Sequence, residues 1–164
     1  MTWICNLCDE EHVDLPHCFG AEVPWHLLVP EDEFQQRVDL TADQCVVDGK
    51  AFFIRGHLDI PIRGETEPLS FSVWSSLSEK SFRHMSERWV LSERAKDLPY
   101  FGWLSSSIPA YPDTVNLKLS VQSRAPGLVP LFSLETSDHP LSLDQRHGIS
   151  RERWHALVHL LQGE

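Results

Sequence analysis

Cys5 and Cys8 stand two residues apart near the start of the chain, in the stretch C-N-L-C-D-E-E-H. That spacing lets two thiolates approach one ion. Zinc takes four tetrahedral ligands drawn from Cys and His, and the chain has no second C-x-x-C pair to complete the set. The missing ligands must come from scattered residues. His12 lies four positions after Cys8, and Cys45 opens a later β-rich run. Cys18 and His57 are further possibilities. The pattern predicts a structural zinc on Cys5, Cys8, His12 and Cys45. Cys45 has a competing reading as a small buried residue of a strand, a common fate for cysteine. Asp9 stands where many zinc knuckles carry a glycine, and this counts against the metal.

Thiol–disulfide exchange fits these residues poorly. It needs the Cys pair at a helix N-terminus behind a strand, where the dipole lowers the thiol pKa. A pair at residues 5–8 leaves no room for that strand and crossover. Asp9, Glu10 and Glu11 would also raise a nearby thiol pKa by like-charge repulsion.

A second set of chemical residues lies in TSDHPLSLDQRHG (136–148), read as a polar loop. Asp138, His139 and His147 there could serve a metal-assisted or His/Asp-based hydrolase. Such a site needs His139 or His147 to meet Asp138, Asp144, Arg55 or Cys45 within hydrogen-bond reach in one cleft. The alternative is turn chemistry, with Ser137 and Asp138 bonding their own backbone and Pro140 fixing φ. His155 and His159 are four apart on the last helix and share a face, but the Glu of H-E-x-x-H is missing. They are read as a surface pair. The chain also lacks the G-x-x-x-x-G-K, G-x-G-x-x-G and G-x-S-x-G signatures.

The elements that would position these residues are mostly strands. Residues 1–29 read as an irregular Cys/His-rich lead-in, and a short helix is expected from Pro30, with Glu31, Asp32 and Glu33 complementing its dipole. Two β-rich runs, 44–47 and 51–60, flank Asp48-Gly49, a strong hairpin-turn signal. LSFSVWSSL (69–77) alternates apolar and Ser residues, as a half-buried strand does. Ser78 caps a helix whose Phe82, Met85 and Trp89 share a face. Further strands are expected at 100–108, 115–124 and 129–135, and Ser150 caps a final helix bearing Trp154, Leu157, Val158 and Leu161. Strands follow one another without a βαβ rhythm. The expectation is an α+β fold, a single domain over 1–164, with a mainly antiparallel or mixed sheet and about two or three helices on one side.

With 164 residues and 41% hydrophobic composition, a core is available without disulfides or metal, so any zinc would be a local device. The net charge of −10 disfavours nucleic acid and anionic membranes; it suits a soluble protein, or one that binds a basic partner. The chain lacks a bilayer-length apolar run and a signal-peptide pattern, so a cytoplasmic location is expected.

Several stretches together resemble a known family. They are C-N-L-C-D-E-E-H, D-Q-C-V-V-D-G-K-A-F-F-I-R-G-H-L-D-I-P, V-W-S-S-L-S-E, F-G-W-L, and T-S-D-H-P-L with Q-R-H-G-I. In this order they are similar to domain of unknown function 2199, a group of small, mostly bacterial proteins without assigned activity. The resemblance runs from Cys5 to the final helix. It implies a soluble bacterial protein, and it implies that Cys5, Cys8, His12 and Cys45 match the family's Cys/His pattern while Cys18 does not. Arg55-Gly56, Phe101-Gly102-Trp103-Leu104 and Asp138-His139-Pro140-Leu141 also match, for packing or for a site. The functional expectation is a non-catalytic binding protein with a structural zinc, with the hydrolase on 136–148 as the alternative.

Overall fold

The computed structural model describes residues 17–162 continuously, and before them the backbone of two short strands, β1 (Trp3–Ile4) and β2 (Glu11–His12), which pair antiparallel with Trp3 opposite His12. The main sheet has eight strands: β3 (Cys18–Gly20), β4 (Val38–Leu40), β5 (Gln44–Val47), β6 (Ala51–Ile60), β7 (Leu69–Leu77), β8 (Tyr100–Leu104), β9 (Lys118–Gln122) and β10 (Leu131–Leu134). Helices α1 (Phe34–Arg37), α2 (Glu79–Glu87), α3 (Pro140–His147) and α4 (Arg151–Leu161) complete an α+β fold.

Strands β6 to β10 follow one another around a five-stranded barrel, antiparallel at each step until β10 returns to lie parallel to β6. The closure is short, with Leu131 opposite His57 and Phe132 opposite Leu58. The two long strands make it possible. One edge of β6 pairs with β7 throughout, while its other edge serves β5 over 51–54 and β10 over 57–58. β7 likewise divides its outer edge between β3 at 70–72 and β8 at 75–76.

The closure also needs glycine at two crossings. A Cβ on Gly56 would strike the Phe132 ring and lie 2.8 Å from the Pro130 carbonyl oxygen. A Cβ on Gly102 would strike the Ser75 hydroxyl and lie 2.8 Å from the Ser76 carbonyl oxygen. Both positions therefore serve packing. Past Phe132 the β6–β10 ladder stops, and the Gln145 side chain of α3 takes over. Its Nε2 donates to the carbonyls of Phe132 (2.8 Å) and Asp59 (3.4 Å), and its Oε1 accepts from the Leu134 amide at 2.7 Å.

The main core fills the barrel and the seams under α2, α3 and α4, with Phe71, Phe132, Ile54, Leu58, Leu104, Phe82, Met85, Leu141, Trp154 and Leu157 among its members. Each such side chain contributes ~1.5–3 kcal/mol on burial. A second, smaller core lies on the opposite face of β4–β7. Trp25, Val29, Val38, Cys45, Val47, Phe53 and Trp74 meet there beneath the 23–29 segment. The alternation in β7 is interrupted at its middle: Ser70, Ser72 and Ser76 are partly exposed, whereas Trp74 is buried in the second core.

Sequence reading and structure agree on β5, β6 and β7, on Ser78 and Ser150 as caps whose hydroxyls accept from Ser81 N and Arg153 N, and on the Asp48-Gly49 turn, where both residues have positive φ. They differ elsewhere. The 136–148 stretch is largely helix α3 rather than a loop, because Pro140 occupies its first turn and Gly148, at φ 76°, stops it. The lead-in is not irregular throughout, since Cys18–Gly20 pairs with β7 and Pro24–Leu27 forms a 3₁₀ turn. The helix expected from Pro30 shrinks to a 3₁₀ turn and the four residues of α1. The 100–108 strand ends at Leu104. Residues 105–117 instead form a connection pinned from inside: the Ser106 hydroxyl accepts from Trp74 N, and the Thr114 hydroxyl donates to Ser106 O and accepts from Ile108 N.

Candidate metal centre

Of the four residues expected to hold zinc, Cys45 alone has a described side chain. Cys5 and Cys8 lie outside the described residues, and only the backbone of His12 is placed, opposite Trp3 in the two-stranded pair. Cys45 sits in β5 opposite Phe53, fully buried among the aromatic and aliphatic side chains of the second core. Burial pushes its thiol up to about 11, opposed in part by a backbone hydrogen bond from Trp25. This is the environment of a neutral thiol packed as a small hydrophobe. Cys18 is exposed on β3. Among the described residues no group of three or more His, Cys, Asp or Glu converges as a metal cage would require.

The last helix departs from the sequence reading. His155 and His159 do not form a surface pair. They are 4% and 9% exposed, and their Nε2 atoms lie 3.0 Å apart. α4 buries Trp154, His155, Leu157, Val158 and His159, so more than one stripe of the helix is covered. The signal was present in the sequence: from Trp154 to Gln162 the helix has no charged residue. The His17 ring packs against Trp154 at 4.6 Å between centroids, and its Nδ1 meets the Pro68 carbonyl at 3.2 Å. The chain from the N-terminus therefore enters the described fold against the turn of α4 that carries His155.

The 136–148 candidates occupy structural positions. His139 is the N-cap of α3: its Nδ1 accepts from the Leu141 amide at 3.0 Å, and its Nε2 faces the Pro112 carbonyl. Those contacts use both ring nitrogens and select the Nε2–H tautomer. His147 is exposed at the far end of the same helix, about 12 Å along the axis at 1.5 Å per residue. Asp138 is exposed beside the cap. Asp144 accepts from the Tyr111 hydroxyl at 2.6 Å and from Arg153 at 3.0 Å. Burial, and then Asp144, hold the Tyr111 hydroxyl well above its ordinary pKa. Arg55 is committed to Asp43, the Ala42 carbonyl and Ser72. His139, Asp144 and Arg55 thus each hold hydrogen-bond partners, and those of His139 and Asp144 brace α3 and α4.

The outer face of β8 is different again. Phe101 and Trp103 point away from the core, 54% and 39% exposed, and meet edge to face at 5.4 Å. Lys118 of β9 lies over the Trp103 ring at 5.5 Å. Beside them runs an open cleft of about 500 Å³ whose lining includes Tyr100, Phe101, Ser120, Ser133, Glu135 and Thr136. Nothing in the alternation of F-G-W-L distinguished this outward aromatic pair from an inward one.

A family model described as an uncharacterized protein conserved in bacteria (DUF2199) matches residues 4–149, from β1 to the residue before the cap of α4. The chain belongs to this family. DUF2199 carries no assigned activity in that description, so membership groups the protein without naming its chemistry. No curated protein and no solved structure matches the chain. No helix among the described residues is long and apolar enough to cross a membrane.

Proposed function

We propose that this DUF2199 protein works by binding rather than catalysis, taking a basic protein partner on the outer face of β8–β10, with a structural zinc on the Cys5–Cys8 pair. The single observation that carries the binding reading is the solvent-facing pair Phe101 and Trp103 beside the cleft. Aromatic side chains are enriched in protein interfaces because they bury large area at low entropic cost. The net charge of −10 selects the sign of the partner, since complementary fields speed encounter and suppress acidic competitors. The zinc reading rests on the C-x-x-C spacing. The binding reading is favoured over the hydrolase alternative by the hydrogen bonds that already engage Asp144 and His139.

The test uses the whole chain, isotope-labelled, titrated with a lysine- and leucine-rich peptide as the probe. Amide shifts are expected to gather at 100–103, 118–120 and 133–136, with binding weakened about tenfold, or about 1.4 kcal/mol, by Phe101→Ala. Shifts scattered over the acidic surface and indifferent to Phe101→Ala would refute the proposal.

A further inference from the structure

His155 and His159 combine three properties, two of which an exposed pair lacks. They are four residues apart on one helix, so their rings project from one face. Both are buried, at 4% and 9% exposure. Their Nε2 atoms already point at each other across 3.0 Å. A tetrahedral zinc with Zn–N bonds of about 2.0–2.1 Å sets two ligand nitrogens ~3.3 Å apart, so small ring rotations would open the pair around an ion. Without a metal, a contact between these two atoms needs one ring to donate and the other to accept.

We propose that His155 and His159 are zinc ligands, binding through Nε2, and that they supply the histidine half of the zinc site. This rests on the reading of Cys5 and Cys8 as the sulfur half. The two spacings, C-x-x-C and H-x-x-x-H, are those of a closed Cys₂His₂ structural site. Two thiolates also neutralise the dication, which suits a site shielded from water. The route of the chain agrees, because His17 packs on Trp154, the neighbour of His155. Cys45 is the weaker ligand on geometry: it is packed among Trp25, Phe53 and Trp74 with no second metal-binding side chain gathered around it among the described residues.

The experiment is zinc analysis and zinc-edge X-ray absorption on the full-length protein, purified without added chelator. About one equivalent of zinc is expected, with two sulfurs near 2.3 Å and two imidazole nitrogens near 2.0 Å. His155→Gln and His159→Gln should each lower zinc affinity at least tenfold, while Cys45→Ala and His12→Gln retain it. The scattering shell of the unmodified protein decides the matter even where a buried variant fails to fold. Zinc bound by three sulfurs, or zinc lost in Cys45→Ala with retention in the His155 and His159 variants, overturns this inference and leaves the zinc reading standing. Less than about a tenth of an equivalent in the unmodified protein overturns both.

Discussion

Cys18 and Cys45 carry the same thiol in opposite surroundings, one exposed on β3 and one fully buried in β5. The thiolate is the reactive form, and burial raises the Cys45 thiol to about 11, so at pH 8 only about a thousandth of it is ionised. With Cys5→Ser and Cys8→Ser in place, a disulfide reagent at pH 8 should modify one thiol within seconds to minutes and the second only as the protein unfolds. Two rapidly modified thiols would show that the second core is open to solvent. The same contrast between residue type and surroundings governs the histidines. His139 is spent on a helix cap, His147 faces solvent, and His155 and His159 face each other inside the fold. A residue list alone ranks these four alike.

At the scale of elements, α3 does more than cover the barrel. Where the β6–β10 ladder ends, Gln145 replaces the missing strand partner for Phe132, Asp59 and Leu134. Leucine at that position keeps much of the volume and removes every one of those bonds. Gln145→Leu is expected to cost about 1–3 kcal/mol, the penalty for leaving buried backbone groups unpaired. Hydrogen exchange at the Leu134 amide should accelerate by more than the global loss of stability explains. Equal changes across all slow-exchanging amides would mean that the seam holds without Gln145. A comparable role falls to Arg94, which is buried at 5% exposure and donates to four carbonyls, those of Trp89, Arg124, Ala125 and Leu128. It fastens the turn after α2 to the loop before β10.

Taken as a whole, the molecule has a barrel core of aliphatic and aromatic side chains among the described residues, large enough to fold as a unit. Small zinc domains unfold when the ion is removed because the ion is their core. Here chelation is expected to lower the melting temperature while leaving a cooperative transition and the aromatic circular dichroism of the barrel. Loss of all cooperative unfolding on chelation would show that zinc organises the whole fold. The charge of −10 acts at the same scale, setting which partners approach without deciding where they dock.

Local chemistry is legible in the residue order. β-rich runs located β5 and β6 with Asp48-Gly49 marking the turn between them, alternation located β7, and Ser78 and Ser150 announced two helices, because each of these signals acts within a few residues of itself. The α+β class followed from their order. The helix α3 was legible in principle, bracketed by Pro140 and Gly148, but its polar composition hid it. Closure of the sheet is a tertiary property, because the closing pairs join Leu131 to His57, residues far apart in the chain. The tertiary structure alone decided which apolar faces are covered: Trp74 is buried because the 23–29 segment returns over it, and Phe101 is exposed because nothing among the described residues does. His155 and His159 follow the same rule. Spacing put them on one helix face, and only the packing of distant segments turned that face inward and made two histidines into a candidate half-site.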